Sequence, residues 1–419
     1  MGAPEMLDRS KEMQDILEKY SDYRTVLLKN EKENIALILL KDKIRYKALQ
    51  TLNYLRSQDV DIKIISGDSE KVISRIAKRL KFEEINCIDM SQFDAKEYKD
   101  IVEKYNIFCR VTPQQKRELI KALKENKHTV AMTGDGVNDA PALKTADIGC
   151  AMGIVGTDVA KEAADVVLTD DNFATIVSAI EEGRRIFDNI LKAITFLLSS
   201  NIGEIIVLFL AIMLTPILAN KFEITSEFIN NIVPLIPVQI LWINLVTDSL
   251  PALALAVDPP NKNIMTRKPN KNQKGIFTKG MTFRIIYQGI MIGLISLAAF
   301  VIGLSTKTPD TEYKIKVGQT MAFMVLAFAE LVHVFNIRNN KESLFKSNPF
   351  NNSKLILAIC ISTILMAAVL LIPALRNVFH LVLLPADKLL ETFLLIISPL
   401  FIVELMKLLR INTTKDENL

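Results

Sequence analysis

The chain has 419 residues, of which half are hydrophobic and 23% charged, and a formal net charge of +4. So small a charge at this length gives no basis for nucleic-acid binding, and the length suffices for two or three domains. Four cysteines (Cys87, Cys109, Cys150, Cys360) form no CxxC pair, and three histidines (His128, His333, His380) assemble no imidazole cluster. A disulfide framework and a zinc site are therefore not expected. Charged residues dominate up to about residue 190, and long apolar runs follow Leu191. That asymmetry predicts a soluble head followed by a membrane bundle. No signal peptide opens the chain, and Met1-Gly2-Ala3-Pro4-Glu5 leads at once into ordinary globular sequence.

In the head, residues 35–40 (IALILL) and 61–65 (DIKII) predict short buried strands. Residues 43–57 and 69–80 predict amphipathic helices between and after them. A charged helix follows over 114–126, then another short strand at Val130-Ala131-Met132. Such alternation implies a mostly parallel sheet covered by helices, with active sites beyond the C-terminal strand ends. Three segments fall at such ends. Ser66-Gly67-Asp68 follows a strand directly and can place donors around a phosphate, although SGD alone is a common turn. Arg110 to Lys116 (RVTPQQK) brings Lys116 to a helix start. Thr133 to Pro141 (TGDGVNDAP) puts Asp135 and Asp139 on one glycine-rich loop beside Asn138. Carboxylates of this kind suit Mg2+, which one or two carboxylates and phosphate oxygens hold. The glycines let the backbone approach an anion closely.

Six apolar stretches are long enough to span a bilayer: 192–219, 232–257, 282–305, 317–337, 354–375 and 388–410. Loop 258–281 carries Lys262, Arg267, Lys268, Lys271, Lys274 and Lys279 against the single acid Asp258. Loop 338–353 carries Arg338, Lys341 and Lys346 against Glu342. Both are expected to be cytoplasmic, with residues 1–190 and the C-terminus on the same side. Loops near 220–231, 306–316 and 376–387 then face outward; the lysines of 306–316 fit least well. Several spans hold polar groups. Asn201 and Glu204 lie on one face of the first span, and Asn244, Thr247 and Asp248 on one face of the second. The fourth holds Glu330, with His333 one turn along. A charge at membrane depth costs at least about 2.5–3.5 kcal/mol. No Lys or Arg stands at matching depth, so a cation is the natural partner. The donors are oxygens only, which suits a hard divalent ion such as calcium. His333 and Glu404 read as packed polar groups instead, and Pro234, Pro237 and Pro251 flank the polar turn, where freed carbonyls can line a cavity.

Thr133 to Gly153, TGDGVNDAPALKTADIGCAMG, resembles the hinge signature of the P-type ATPases. The order SGD, RVTPQQK, TGDGVNDAP resembles the later phosphatase-like motifs of their phosphorylation domain, which has the haloacid-dehalogenase fold. The opening GAPE resembles a segment of their nucleotide-binding domain, with Met1 in place of a lysine; Asp42-Lys43-Ile44-Arg45 resembles the motif where the chain returns to the phosphorylation domain. Ser199 to Ile205 (SSNIGEI) and Trp242 to Ala252 (WINLVTDSLPA) resemble calcium pumps of the sarcoplasmic-reticulum type. Loop 258–269 resembles the loop that contacts the phosphorylation domain there.

The resemblance implies an α/β haloacid-dehalogenase-like (Rossmannoid) phosphorylation-domain remnant followed by an all-α six-helix transmembrane bundle. Residues 1–34 would end a nucleotide-binding domain, 35–190 form the phosphorylation domain, 191–410 the membrane domain and 411–419 a tail. Asp135 would hold Mg2+ against a phosphoryl group, with Asp139 and Asn138 in support. Lys116 would neutralise the transferring phosphoryl, and Ser66 and Gly67 would donate to it. Asp68, Arg45 and Arg110 would face nucleotide. Asn201, Glu204, Thr247, Asp248 and Glu330 would form one calcium site, and Asn244 and Asp248 part of a second. The implied ligands are ATP, Mg2+ and transported Ca2+ in a lipid bilayer, expected to be a bacterial plasma membrane. No DKTGT and no TGE occur in the sequence, so the chain offers no aspartate of that motif to phosphorylate. It is therefore expected to be inactive alone, as the C-terminal part of a pump, with a separate N-terminal half as a candidate partner. A non-catalytic cation-binding or regulatory membrane protein is the alternative. A free phosphatase lacks a nucleophile.

Overall fold

The computed structural model describes residues 4–20, 23–30, 34–40, 44, 47–93, 98–261, 263–267, 275–338, 343–344 and 349–409. The chain divides into two units, Met1–Ile180 and Glu181–Leu419.

The first unit opens with helices α1 (Pro4–Leu7) and α2 (Lys11–Lys19). Strands β1 (Arg24–Lys29) and β2 (Asn34–Leu40) then pair antiparallel. After them come α3 (Ala48–Ser57), β3 (Ile64–Ile65), α4 (Glu70–Arg79), β4 (Cys87–Asp89), α5 (Tyr98–Lys104), β5 (Ile107–Cys109) and α6 (Pro113–Glu125). The unit continues through β6 (Ala131–Gly134), α7 (Ala140–Thr145), β7 (Ile148–Met152), α8 (Asp158–Ala163) and β8 (Val166–Leu168). The expected parallel sheet is present as two three-stranded parallel sheets, ordered β3-β5-β4 and β6-β7-β8. One hydrophobic core serves both, drawing Phe108, Val111 and Leu119 from the first sheet and its helix and Met132 and Ala151 from the second. The run 35–40, expected to be buried, is largely exposed instead. It pairs only with β1 among the described residues, so its apolar side chains lack a covering layer.

Helix α6 shows how sequence fixes a start. Pro113 occupies its first turn, where a missing N–H costs nothing. Thr112 Oγ1 accepts from Gln115 N–H at 3.3 Å, and Thr112 N–H donates to Gln115 Oε1 at 2.9 Å.

The second unit is helical. It contains most of α9 (Thr175–Lys221), then α10 (Pro237–Trp242), a π-helical turn over Ile243–Asp248, and α11 (Ser249–Leu255). Then come α12 (Lys279–Leu304), α13 (Thr311–Arg338), α14 (Ser353–Leu371), α15 (Pro373–Val378) and α16 (Ala386–Leu408). Among the described residues, six helical stretches are long and apolar enough to cross a membrane, with α10, the π turn and α11 counting as one. Glycines set the contact between α9 and α12. A Cβ on Gly293 would meet Gly203 O at 2.8 Å, so only glycine permits the backbones to approach this closely.

Candidate phosphate and cation sites

In the first unit a chain of contacts joins the three loops. Val111 N–H donates to Ser66 O at 3.0 Å, and Arg110 N–H to Asp68 O at 2.9 Å, which ties the SGD loop to the segment opening α6. The Thr112 cap orients the first turn of α6, and from it Lys116 Nζ reaches Asp139 Oδ1 at 2.6 Å. Asp139 is buried and folds back onto its own loop. Its Oδ2 accepts from Gly136 N–H at 3.2 Å and Asp135 N–H at 3.3 Å. Gly134 makes room for it, since a Cβ there would lie 2.5 Å from Asp139 Cβ. Asp135 and Asn138 are exposed, and Thr157 N–H donates to Asp135 O at 2.9 Å. The two aspartates thus differ in availability. Asp139 is engaged by an ammonium and two amides, whereas the Asp135 carboxylate stands open to a metal. In the SGD loop, Ser66 Oγ is 3.1 Å from Asp68 Oδ2 and accepts from Asp68 N–H at 3.2 Å. The exposed Arg110 lies 3.6 Å from Asp89. Arg45 falls outside the described residues.

In the second unit, α9, the π turn and α13 bring the carboxylates of Glu204, Asp248 and Glu330 near enough to act on one another, although among the described residues they do not close into a ready-made cluster around one point. Glu204 accepts from Asn244 Nδ2 at 3.1 Å on both oxygens. Thr247 Oγ1 donates to Ile243 O at 2.9 Å and lies 3.5 Å from Glu330 Oε2. Asp248 is 1% exposed and Glu330 fully buried. Among the described residues, neither Asp248 oxygen nor Glu330 Oε1 has a hydrogen-bond partner. Among the described residues, no Lys or Arg pairs with any of the three acids. The wide π turn frees carbonyls that side chains then satisfy: Ser249 Oγ donates to Asn244 O at 2.8 Å and Ser362 Oγ to Val246 O at 2.7 Å. Pro251, just beyond, has no N–H to close a tighter turn.

The family model described as cation transporting ATPase, C-terminus, matches residues 232–409, and that of haloacid dehalogenase-like hydrolases matches residues 1–147. Its homologues are P-type cation-transporting ATPases, which match most of the chain. Relatives include "Calcium-transporting ATPase 1" of Bacillus cereus, 40% identical over an aligned length of 394 residues, with 90% of this chain and 43% of the relative covered. "Calcium-transporting ATPase" of Bacillus subtilis is 42% identical over 81% of this chain and 36% of its own length. "Calcium-transporting ATPase 4, endoplasmic reticulum-type" of Arabidopsis thaliana is 32% identical over 89% of this chain and 39% of its own. The chain therefore spans about two fifths of the length of these relatives.

In this chain Glu204, Asn244, Thr247, Asp248 and Glu330 come together, and Asn201 does not join them. It is exposed, and its Nδ2 donates to Leu197 O at 2.9 Å. Ser200, which the sequence did not single out, faces inward instead. It is fully buried with an unpartnered Oγ, beside the Asp248 carboxylate. The signal for it was available, because Ser200 and Glu204 are one helical turn apart just as Asn201 and Glu204 are. His333 and Glu404 sit in polar contacts of their own. Asn336 Nδ2 lies 3.3 Å from His333 Nδ1, and Glu404 pairs with Lys407 at 2.8 Å.

Proposed function

We propose that this chain supplies the phosphate-handling head and the cation-binding bundle of an ATP-driven calcium pump. The observation that carries the reading is the Asp248 carboxylate, almost fully buried, without a hydrogen-bond partner among the described residues and near two further buried acids. A buried carboxylate without a counter-charge is costly. Oxygen donors from Glu204, Thr247, Asp248 and Glu330 suit calcium, which takes 6–8 such ligands at flexible geometry. The names of the relatives support calcium among divalent ions. The basic loops favour the head and the C-terminus in the cytoplasm.

In the head, Lys116 is held by Asp139 with its ammonium at the loop cluster, where it would neutralise charge on a transferring phosphoryl group. Ser66 and Gly67 would donate to the same oxygens. The open Asp135 carboxylate fits Mg2+, which when bound would offset phosphate charge. Asn138 would support that metal. Asp68 and Arg110 would border the nucleotide.

The test is isotope-detected calcium binding by the full chain in detergent. Saturable binding lost in Asp248→Asn is expected, and equal binding by both proteins would remove the transport reading. Because no DKTGT aspartate is present, ATP hydrolysis by the purified chain is expected to match that of an Asp135→Asn control.

A further inference from the structure

At one end of the bundle, a second buried aspartate does the opposite of Asp248. Asp258 follows α11 and is 2% exposed. Lys192 Nζ of α9 lies 2.8 Å from its Oδ2. Arg338, the last residue of α13, reaches Oδ1 with Nε at 2.9 Å and Nη2 at 2.8 Å. Asn352, which caps α14, donates to Oδ1 at 3.0 Å and to Ala254 O at 3.0 Å. Asn189 of α9 donates to the Asp258 carbonyl at 2.7 Å. Lys192, Asn189 and Asn352 are buried as well. One carboxylate thus gathers groups from α9, α13 and α14 onto the segment leaving α11.

Three of those four segments carry the candidate cation ligands. By helical rise, Lys192 stands about 18 Å from Glu204 along α9, and Arg338 about 12 Å from Glu330 along α13. Asp248 lies on the same continuous segment as Asp258. A helix is stiff over such lengths, so fixing its end fixes where its ligand points. Sliding α9 against α13 would pull Lys192 or Arg338 off the shared carboxylate and leave a buried cation unpaired.

We propose that Asp258 is a positioning residue for the cation site, holding the three ligand-bearing helices in register through its simultaneous pairing with Lys192 and Arg338. The proposal rests on the cation-site reading above. Misregistered helices would still offer oxygens, but fewer of them would reach one ion, and water would complete its shell.

Terbium(III) serves as the probe, because it takes the oxygen ligands of calcium and its emission can be sensitised by tryptophan. The chain has one tryptophan, Trp242, two residues from Asn244. Emission lifetimes in H2O and D2O count the waters on the bound ion. Wild type is expected to bind with sensitised emission that Asp248→Asn abolishes. Asp258→Asn is expected to keep the emission, to bind at least tenfold more weakly and to add at least one coordinated water. A residue that only stabilised the fold would lower the melting temperature without changing that water count. If Asp258→Asn fails to fold, Asp258→Asn combined with Lys192→Gln keeps the net charge of the cluster and makes the same prediction. Wild-type affinity and water count in the variant would overturn the proposal alone. Sensitised emission that is the same in wild type and Asp248→Asn would overturn the cation site and the proposal together.

Discussion

Asp248 and Asp258 stand ten residues apart on one segment and are almost equally buried, yet their surroundings are opposite. Asp258 touches two cations and an amide, whereas Asp248 has no such partner among the described residues and faces two further acids. Burial alone therefore does not tell what a charged group is for. The partner does. A paired buried acid is part of the scaffold, and an unpaired one is where the proposed cation would supply the missing charge.

The contrast is sharpest in the response to neutralisation. Asp258→Asn leaves the buried Lys192 and the mostly buried Arg338 around a neutral amide, and breaking a buried pair from one side costs about 3–5 kcal/mol. Thermal unfolding in detergent without added cation should show that loss. A melting temperature equal to wild type would mean that the two cations find other partners and that Asp258 is no more part of the scaffold than Asp248.

Asp248→Asn should behave differently. It removes a carboxylate that no protein group compensates, so stability without cation should hold or rise. What should vanish is the response to calcium. For wild type, free calcium at a hundredfold excess over its dissociation constant should add about 2.7 kcal/mol. For the variant it should add nothing. If both variants lose comparable stability in the absence of cation, Asp248 is part of the scaffold after all.

Sequence made these two aspartates unequal in visibility. Asp248 stands within an apolar run beside Asn244 and Thr247, so helical spacing and membrane cost single it out. Asp258 reads as the lone acid of a basic loop, and its partners Lys192 and Arg338 lie 66 and 80 residues away. Nothing local announces that pairing. Arg338 likewise counts toward a positive loop charge in sequence, while in the fold it is spent on Asp258. The choice between Ser200 and Asn201 fails for a related reason. Both share a face with Glu204, and only packing against other helices decides which turns inward. In the head, the glycine-aspartate loop is legible because its composition exceeds what a turn requires. The run 35–40 is not, since apolar residues mark a strand without stating whether a layer covers it.

Asp139 in the head is an intermediate case, with one cation and two amides as partners. Asp139→Asn retains an acceptor for the Gly136 N–H but loses the charge facing Lys116, and a hydrogen bond to a charged group is worth about 1.5–3 kcal/mol. Hydrogen exchange of the β6 and α7 amides in the full chain should report the loss. Undiminished protection would show that the loop holds its shape without the pair, leaving Asp139 to act on a ligand only.

Asp147 closes the series as a half-exposed acid with a single cation, and its effect should be the smallest. Its Oδ2 accepts from Val130 N–H at 2.9 Å, and Lys124 lies 3.0 Å from its Oδ1. The Val130 N–H first and Lys124 second hold its carboxyl below the ordinary value of 3.8. A carboxyl depressed in the folded state stabilises that state above its unfolded pKa. The contribution is lost as pH falls through the lower folded value. Solvent screening at this exposure limits it to about 0.5 kcal/mol or less. Protection factors at Val130 and Ile148, corrected for intrinsic exchange rates, should therefore fall slightly below pH 3.8 in wild type. In Asp147→Asn they should be slightly lower throughout and flat over the same range. A wild-type profile without that step would mean that Lys124 and the Val130 amide are as well satisfied by water, and that pairing gains its energetic weight only where burial removes that alternative, as it does around Asp258.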